Sequence, residues 1–110
     1  MFKPINTENI SNVFEMMAKQ WTLICGGDME NHNAMTASWA GMGVMWNKNI
    51  CSIFVRPQRY TYDYLEKNDY FTLSFFGEDC RAALNMLGKL SGRDTDKMAK
   101  CGLTDRKSVV

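Results

Sequence analysis

Short segments with the composition of β-strands, joined by turn-forming residues, constrain the fold of this chain more than any other feature. The clearest strand is predicted at 70–76, where Phe71, Leu73 and Phe75 occupy every second position. Further strands are predicted at 21–25, 33–39, 44–46 and 50–55, with a turn at 47–49. Helices are predicted at 6–20, 62–67, 79–87 and 94–102. Because a helix does not follow every strand, this order favours an antiparallel sheet or barrel with peripheral helices over a doubly wound parallel sheet.

Capping residues and glycines set the predicted boundaries of these elements. Thr61 is predicted to cap the second helix, and Asp79 to cap the third, which Gly88 ends. Gly41 and Gly43 predict a bend or a close backbone approach after the second strand. No Gly-x-Gly-x-x-Gly motif follows the first strand, so the sequence gives no support for a Rossmann-type dinucleotide site.

Composition and charge restrict the class of protein. The chain has 110 residues, enough for at most one domain, and 45% of them are hydrophobic, as in an ordinary folded core. Its net charge is +1 without a basic block, which argues against nucleic-acid binding. No apolar run reaches the roughly 20 residues that a membrane-spanning helix needs, and the N-terminus has no signal-peptide pattern. We therefore expect a cytoplasmic protein without a nucleic-acid or membrane partner.

Residue types with chemistry of their own give few leads. The four cysteines contain no Cys-x-x-Cys pair, so we expect reduced thiols, most of them buried. His32 is the only histidine and is expected at the surface, and no metal site or hydrolytic triad is indicated. Trp21 and Trp46 are expected to serve structural packing.

The strand predicted at 33–39 is rich in small hydroxyl side chains and ends in an indole. The two-residue period of a strand puts Thr36 and Ser38 on one face, and Ala37 and Trp39 on the other. Hydroxyls on an inward face would leave room for a ligand and donate to its oxygens. A solvent-facing Thr/Ser strand with a core tryptophan fits the same spacing, which leaves both interpretations open.

Two cationic loops lie beside predicted helix starts. Arg56 and Arg59 precede the predicted cap Thr61, and a helix N-terminus together with a guanidinium suits phosphate oxygens. The second loop consists of Ser91, Gly92 and Arg93, with Lys97 nearby. Ordinary solvated loops would have the same composition. Taken with the hydroxyl strand, however, the first loop suits a ligand with a phosphate at one end and an aromatic ring system at the other, and flavin mononucleotide (FMN) is such a molecule.

Three blocks of the sequence, at 33–39, 53–61 and 91–94, together resemble the flavin reductase-like, FMN-binding split-barrel family, in particular its flavoredoxin branch. They read Asn-Ala-Met-Thr-Ala-Ser-Trp, Ile-Phe-Val-Arg-Pro-Gln-Arg-Tyr-Thr and Ser-Gly-Arg-Asp, in the order found in the family. The resemblance implies a mainly β fold with peripheral helices, a Greek-key split β-barrel. It also implies a homodimer with FMN near the subunit interface.

The first block lines the flavin in the family. Carried over to this sequence, the resemblance implies that Asn33 and Trp39 face the isoalloxazine ring. It implies that Thr36 and Ser38 reach the ribityl and phosphate groups, with Ala37 between them.

The other two blocks would complete the binding site. The resemblance implies that Arg59 and Thr61 lie near the phosphate, beside Tyr60, and that Val55 and Arg56 follow the ring edge. The remaining implied contacts are Ser91, Gly92, Arg93 and Lys97. No residue of the chain is predicted as a catalytic acid or base.

The resemblance also bears on the end of the chain, because members of the family continue into further strands that close the barrel. We expect residues 1–104 to be the N-terminal part of the domain and 105–110 to be a non-native tail. The tail, Asp-Arg-Lys-Ser-Val-Val, can be back-translated into a nucleotide sequence similar to a sequencing-library adapter. Without closing strands, the chain is expected to expose a sheet edge and apolar side chains, and to be poorly soluble alone.

The function implied by the resemblance is that of an FMN-dependent oxidoreductase. Electrons would come from NADH, NADPH or a redox protein and pass through the flavin. Two alternatives remain: a non-catalytic electron-carrier module that binds FMN, and a split-barrel domain without a cofactor.

Overall fold

A computed structural model describes residues 6–91 and 93 of the chain. Its helices and strands are, in chain order, α1 (Val13–Glu15, continued by a π-helical turn at Met16–Gln20), β1 (Thr22–Gly27), β2 (His32–Ala37), β3 (Ala40–Met45), β4 (Lys48–Ile53), α2 (Tyr60–Lys67), β5 (Phe71–Ser74) and α3 (Arg81–Lys89). Short 3-10 turns lie at Thr7–Asn9 and Glu78–Cys80. Every strand pair is antiparallel, which confirms the predicted fold class. The helix predicted at 94–102 lies outside the described residues.

The core forms between α3 and one face of a three-stranded sheet with the order β2-β1-β5. On this face, Leu23 of β1 and Ala34 of β2 are buried together with Leu84 and Leu87 of α3. Burying one such leucine side chain contributes about 1.5–3 kcal/mol. This cluster therefore holds α3 firmly on the sheet.

The opposite face of the same sheet carries α2. Successive residues of a strand point to opposite faces, and Gly26 of β1 lies against Leu65 of α2. A Cβ at Gly26 would be 3.0 Å from Cδ2 of Leu65. The glycine therefore allows α2 to lie close to the sheet.

The turn that joins β1 to β2 is held by hydrogen bonds between residues of the turn itself. One carboxylate oxygen of Asp28 accepts hydrogen bonds from the backbone N–H groups of Glu30 and Asn31, at 2.9 and 2.7 Å. Gly27 has a φ of +115°, and a Cβ there would be 2.3 Å from the carbonyl oxygen of Asn31. The turn sets the register in which Gly27 lies opposite His32.

β3 and β4 form a second hairpin, which is not paired with the three-stranded sheet in the described part of the chain. Trp46 and Asn47 both have positive φ, 50° and 58°, as the two-residue loops of type I′ hairpins require. The predicted turn at 47–49 is therefore one residue too late, and β4 already begins at Lys48. Trp46 at the tip is 86% exposed, so its predicted packing role is wrong.

Two further expectations for this hairpin are wrong. β3 runs through Gly41 and Gly43 without a bend, and open space lies beside both residues. The apolar composition of the strand predicted at 50–55 favours a buried strand, yet every residue of β4 is exposed or half-buried. Within the described part of the chain, the main packing partner of β4 is β3, its neighbour in the same hairpin, and no further layer covers the two strands.

The helix predicted at 6–20 is broken in two. Asn6 caps a first 3-10 turn through its side chain. Asn12 then adopts the left-handed conformation, with φ 51°, and its side chain caps a new helical segment. The helical spacing of Val13, Phe14 and Met17 predicts one apolar face, but Met17 is buried and Phe14 is 89% exposed.

The ends of the later elements also differ from prediction. Thr61 does not cap α2, because the helix already begins at Tyr60 and Thr61 is buried within its first turn. Asp79 gives α3 no side-chain cap, and the helix continues through Gly88. β5 is shorter than the strand predicted at 70–76. Among the described helices, none has the length and apolarity needed to cross a membrane.

Candidate functional site

An open cleft of about 410 Å³ lies where the chain leaves β2 and crosses to β3. We call it the main cleft, and it is lined by Met35, Thr36, Ala37, Ser38, Trp39, Phe54, Arg56, Gln58 and Arg59. Its volume is within the range of about 300–1,000 Å³ that is usual for small-molecule sites. The predicted hydroxyl strand and the first cationic loop therefore meet at one place.

One wall of the main cleft is aromatic. Trp39 and Phe54 are 59% and 64% exposed, and the backbone N–H of Phe54 donates to the carbonyl oxygen of Trp39 at 3.3 Å. The guanidinium of Arg56 lies 4.9 Å from the centroid of the Trp39 ring, within the distance of a cation–π contact. This wall offers an apolar surface with a positive charge at its edge.

Arg59 supplies a second cation at the same cleft. Its side chain is half-buried, and this desolvation, followed by the positive charge of Arg56, lowers the pKa of Arg59. Within residues 6–91 and 93, no carboxylate forms an ion pair with Arg59. A desolvated cation beside a like charge is stabilised by an anion. The site therefore favours a negatively charged group next to Arg59.

The start of α2 opens into an adjoining cleft of about 230 Å³, which we call the helix-start cleft. It is lined by Gln58, Arg59, Tyr60, Thr61, Gly88, Lys89, Leu90 and Ser91. Gln58 and Arg59 line both clefts. The unpaired N–H groups and positive dipole end of a helix favour anions. Arg59 and the N-terminus of α2 therefore both favour an anion in the helix-start cleft.

Thr36 connects the main cleft to α3. Its hydroxyl donates to the carbonyl oxygen of Leu84 at 2.5 Å, and a Cβ at Gly88 would be 3.3 Å from the Thr36 Cβ. The hydroxyl proton of Thr36 is therefore already donated to the backbone of α3, and the hydroxyl oxygen is left to accept hydrogen bonds. β2 ends at Ala37, so Ser38 lies beyond the strand and the alternation of faces does not extend to it.

Arg93 brings the third sequence block to the start of α2. Its guanidinium donates to the carbonyl oxygen of Gln58 at 2.9 Å and lies 3.4 Å from the carboxylate of Asp63. It also lies 5.0 Å from the ring centroid of Tyr60. Arg93 thereby holds the loop that carries Gln58, and a carboxylate already shares its charge.

Apart from Arg93, which lines neither cleft, the sequence-predicted site residues fall into four groups. Those that line the main cleft are Thr36, Ala37, Ser38, Trp39, Arg56 and Arg59. Those that line the helix-start cleft are Arg59, Tyr60, Thr61 and Ser91. Asn33 is buried and bonded to Thr61, and neither Asn33 nor Val55 lines the main cleft. Gly92 and Lys97 lie outside the described residues.

Several lining residues escaped the sequence analysis. Phe54 and Gln58 flank the predicted arginines, and their nearness to Arg56 is the only signal that could have identified them. Gly88 was read as the end of a helix. Its approach to Thr36 depends on the packing of α3 and has no signal in the sequence.

None of the described cysteines lines either cleft. Cys25, Cys51 and Cys80 are reduced and half-buried rather than fully buried, and burial raises the pKa of Cys51. Cys101 lies outside the described residues. No cluster of three or more histidine, cysteine, aspartate or glutamate side chains suited to a metal ion occurs in the part of the chain that the structure describes.

Comparison with known proteins decides the family. The model of the flavin reductase like domain matches residues 14–110, nearly the whole chain. The chain belongs to the flavin reductase-like family. This membership implies a flavin cofactor. No match was found among curated proteins.

A solved structure supports the same assignment. The fold is similar to that of flavoredoxin of Desulfovibrio vulgaris (Miyazaki F), with a TM-score of 0.69 and 25% sequence identity. The match covers 94% of this chain and 54% of flavoredoxin, so the chain spans about half the length of that protein. The family and the branch predicted from the three sequence blocks are confirmed.

The clefts fit a flavin of this family. The aromatic wall of Trp39 and Phe54 suits a flat ring system. Arg59, half-buried and without an ion-pair partner among the described residues, suits a phosphate. Because Arg59 lines both clefts, a ligand reaching from the wall to the start of α2 would satisfy both features.

Proposed function

We propose that the chain binds FMN and is part of an FMN-dependent oxidoreductase. The observation that carries this proposal is the place of Arg59, a half-buried guanidinium next to Arg56 that lines both clefts at the start of α2. Riboflavin has the same ring system as FMN but lacks the phosphate. A site built around Arg59 therefore favours FMN over riboflavin.

Each wall of the site has a part in holding the cofactor. Trp39 and Phe54 bind the ring system. The positive charge of Arg56 stabilises negative charge at the edge of that ring system. Arg59 and the N–H groups at the start of α2 hold the phosphate. The flavin supplies the redox chemistry when bound, and the protein binds and orients it and sets its electrostatic surroundings.

The partners proposed here follow from the family. The chain works as a homodimer in the cytoplasm, and electrons come from NADH, NADPH or a redox protein. Membership of the flavin reductase-like family supports an oxidoreductase. The similarity to flavoredoxin leaves an electron carrier as the second candidate.

A titration and a spectrum test the proposal. We expect the purified protein of which this chain is part to bind FMN at least about tenfold more tightly than riboflavin, which corresponds to one charge-assisted hydrogen bond. Equal dissociation constants for the two ligands would contradict a phosphate site. Bleaching of the flavin absorbance on addition of NADH or NADPH would support a nicotinamide-dependent enzyme. Bleaching only by a chemical reductant would favour the electron carrier.

A further inference from the structure

A buried hydrogen bond joins β2 to the first turn of α2. The side-chain amide of Asn33 donates to the hydroxyl oxygen of Thr61 at 2.7 Å. The two side chains are 4% and 1% exposed. A hydrogen bond that is shielded from water is strong, and breaking it is costly because each partner would then be a buried polar group without a hydrogen bond. The bond therefore fixes the position of the first turn of α2 relative to β2.

The direction of this bond leaves one proton available. A threonine hydroxyl has a single proton and two lone pairs, and here one lone pair accepts from Asn33. Among the residues that the structure describes, no acceptor takes the proton of Thr61. Thr61 lines the helix-start cleft next to Arg59. An anion in that cleft would supply the missing acceptor.

A second contact limits how α2 can move. Leu65 packs against Gly26, and a Cβ at that glycine would be 3.0 Å from Cδ2 of Leu65. The bond between Asn33 and Thr61 adds a polar contact at the N-terminal end of the same helix. Because Thr61 lies in the first turn of α2, a contact that positions Thr61 also positions the N–H groups of that turn.

We propose that Asn33 is a positioning residue for the phosphate of the flavin. It does not touch the ligand: it donates to Thr61, and this keeps the Thr61 proton directed at the anion and the helix start in place. The inference rests on the proposed function. It differs from the ring contact expected for Asn33 from the sequence, because a ring contact would act on riboflavin and FMN alike.

The experiment measures the dissociation constants of FMN and riboflavin for the purified protein of which this chain is part, and for its variants, by quenching of flavin fluorescence. Asn33→Asp replaces the donor by an acceptor, which takes the Thr61 proton. We expect FMN binding to weaken about tenfold or more and riboflavin binding to change less than about twofold. Thr61→Val should do the same, and the double variant should lose no more than either single variant. Thr61→Ser, which keeps the hydroxyl, should retain the preference for FMN.

The matched control is Asn31→Asp on the same hairpin. The Asn31 side chain accepts from the Tyr64 hydroxyl at 3.1 Å, and aspartate keeps that acceptor. Its FMN affinity should stay at the wild-type value. Asn33→Ala removes the donor without adding a charge, so its FMN affinity should also fall, which excludes repulsion between a new carboxylate and the phosphate as the cause. Thermal melting of each variant separates loss of the bond from loss of the fold.

The outcomes distinguish this inference from the proposed function. If the wild-type chain does not prefer FMN, the phosphate site itself fails and the role of Asn33 with it. If the wild type prefers FMN but folded Asn33 variants weaken both ligands equally, Asn33 is not a phosphate-positioning residue. Additive losses in the double variant would also overturn the proposal, because Asn33 would then act independently of Thr61.

Discussion

The guanidinium of Arg56 lies over the indole of Trp39, 4.9 Å from the ring centroid. Trp39 follows β2 and Arg56 follows β4, so the contact ties together two parts of the chain that the sequence separates. The charge of Arg56 also lowers the pKa of Arg59, after the larger effect of burial. Arg56 therefore links the aromatic wall to the proposed anion site.

The position of Trp39 in the aromatic wall predicts that its fluorescence changes when a flavin binds. We expect FMN to quench tryptophan emission, and Trp39→Phe to remove most of that change, because Trp39 lines the main cleft. Phenylalanine keeps an apolar wall, so binding itself should persist. Trp21→Phe and Trp46→Phe are controls, since Trp21 packs against the core and Trp46 lies at a hairpin tip. Quenching that is unaltered in Trp39→Phe would place the ring elsewhere.

The anion site predicts a selective loss in Arg59→Ala. Removing a charge-assisted hydrogen bond costs about 1.5–3 kcal/mol, which weakens FMN binding about 10- to 150-fold. Riboflavin binding should change little, because riboflavin carries no phosphate. Lys48→Ala removes an equal charge from an exposed position on β4 and should leave both affinities unchanged. If Lys48→Ala weakens FMN binding as much as Arg59→Ala, general attraction explains the binding instead.

The turn between β1 and β2 predicts a large difference between two glycine substitutions. Gly27→Ala places a Cβ 2.3 Å from the Asn31 carbonyl oxygen at a φ of +115°. We expect a loss of at least about 2 kcal/mol in the free energy of unfolding. Gly41→Ala adds a Cβ to open space on β3 and should be neutral or slightly stabilising. Denaturant unfolding of both variants checks this, and equal losses would contradict the described turn.

The phenol pair on α2 predicts a change in alkaline stability. A hydrogen bond with Tyr60, followed by burial, raises the pKa of Tyr64 to about 12 from an ordinary value of 10.0. The folded state then holds the proton more tightly than the unfolded state, so its contribution is fully present below about pH 10 and is lost as the pH rises towards 12. We expect Tyr64→Phe to show a shallower loss of stability over this interval in thermal melts. Tyr70→Phe, at a 56% exposed position, is the control, and identical pH profiles of Tyr64→Phe and wild type would contradict the prediction.

The elements whose patterns are local were predicted well. The strand predicted at 21–25 is present as β1, because the preference of its side chains for a pleated sheet acts within a few residues. The three sequence blocks also sufficed to predict the family, which the match over residues 14–110 confirms. Prediction failed where the position of a residue depends on a partner that is distant in the sequence. Thr61 is a residue type that often caps helices, but here it is buried and bonded to Asn33.

By itself, the sequence determined the antiparallel, mainly β architecture, the family and the residue types that make up the main cleft. Periodicity, turn chemistry and short motifs carry that information because each acts over neighbouring positions. Only the tertiary structure decided which of these residues share a space. The contact of Arg56 with Trp39, the isolation of Arg59 from any carboxylate in the described chain and the orientation of Thr61 by Asn33 all depend on how β2, α2 and the loop after β4 pack. Distances between such segments follow from burial and close packing of the whole domain, which no local pattern contains.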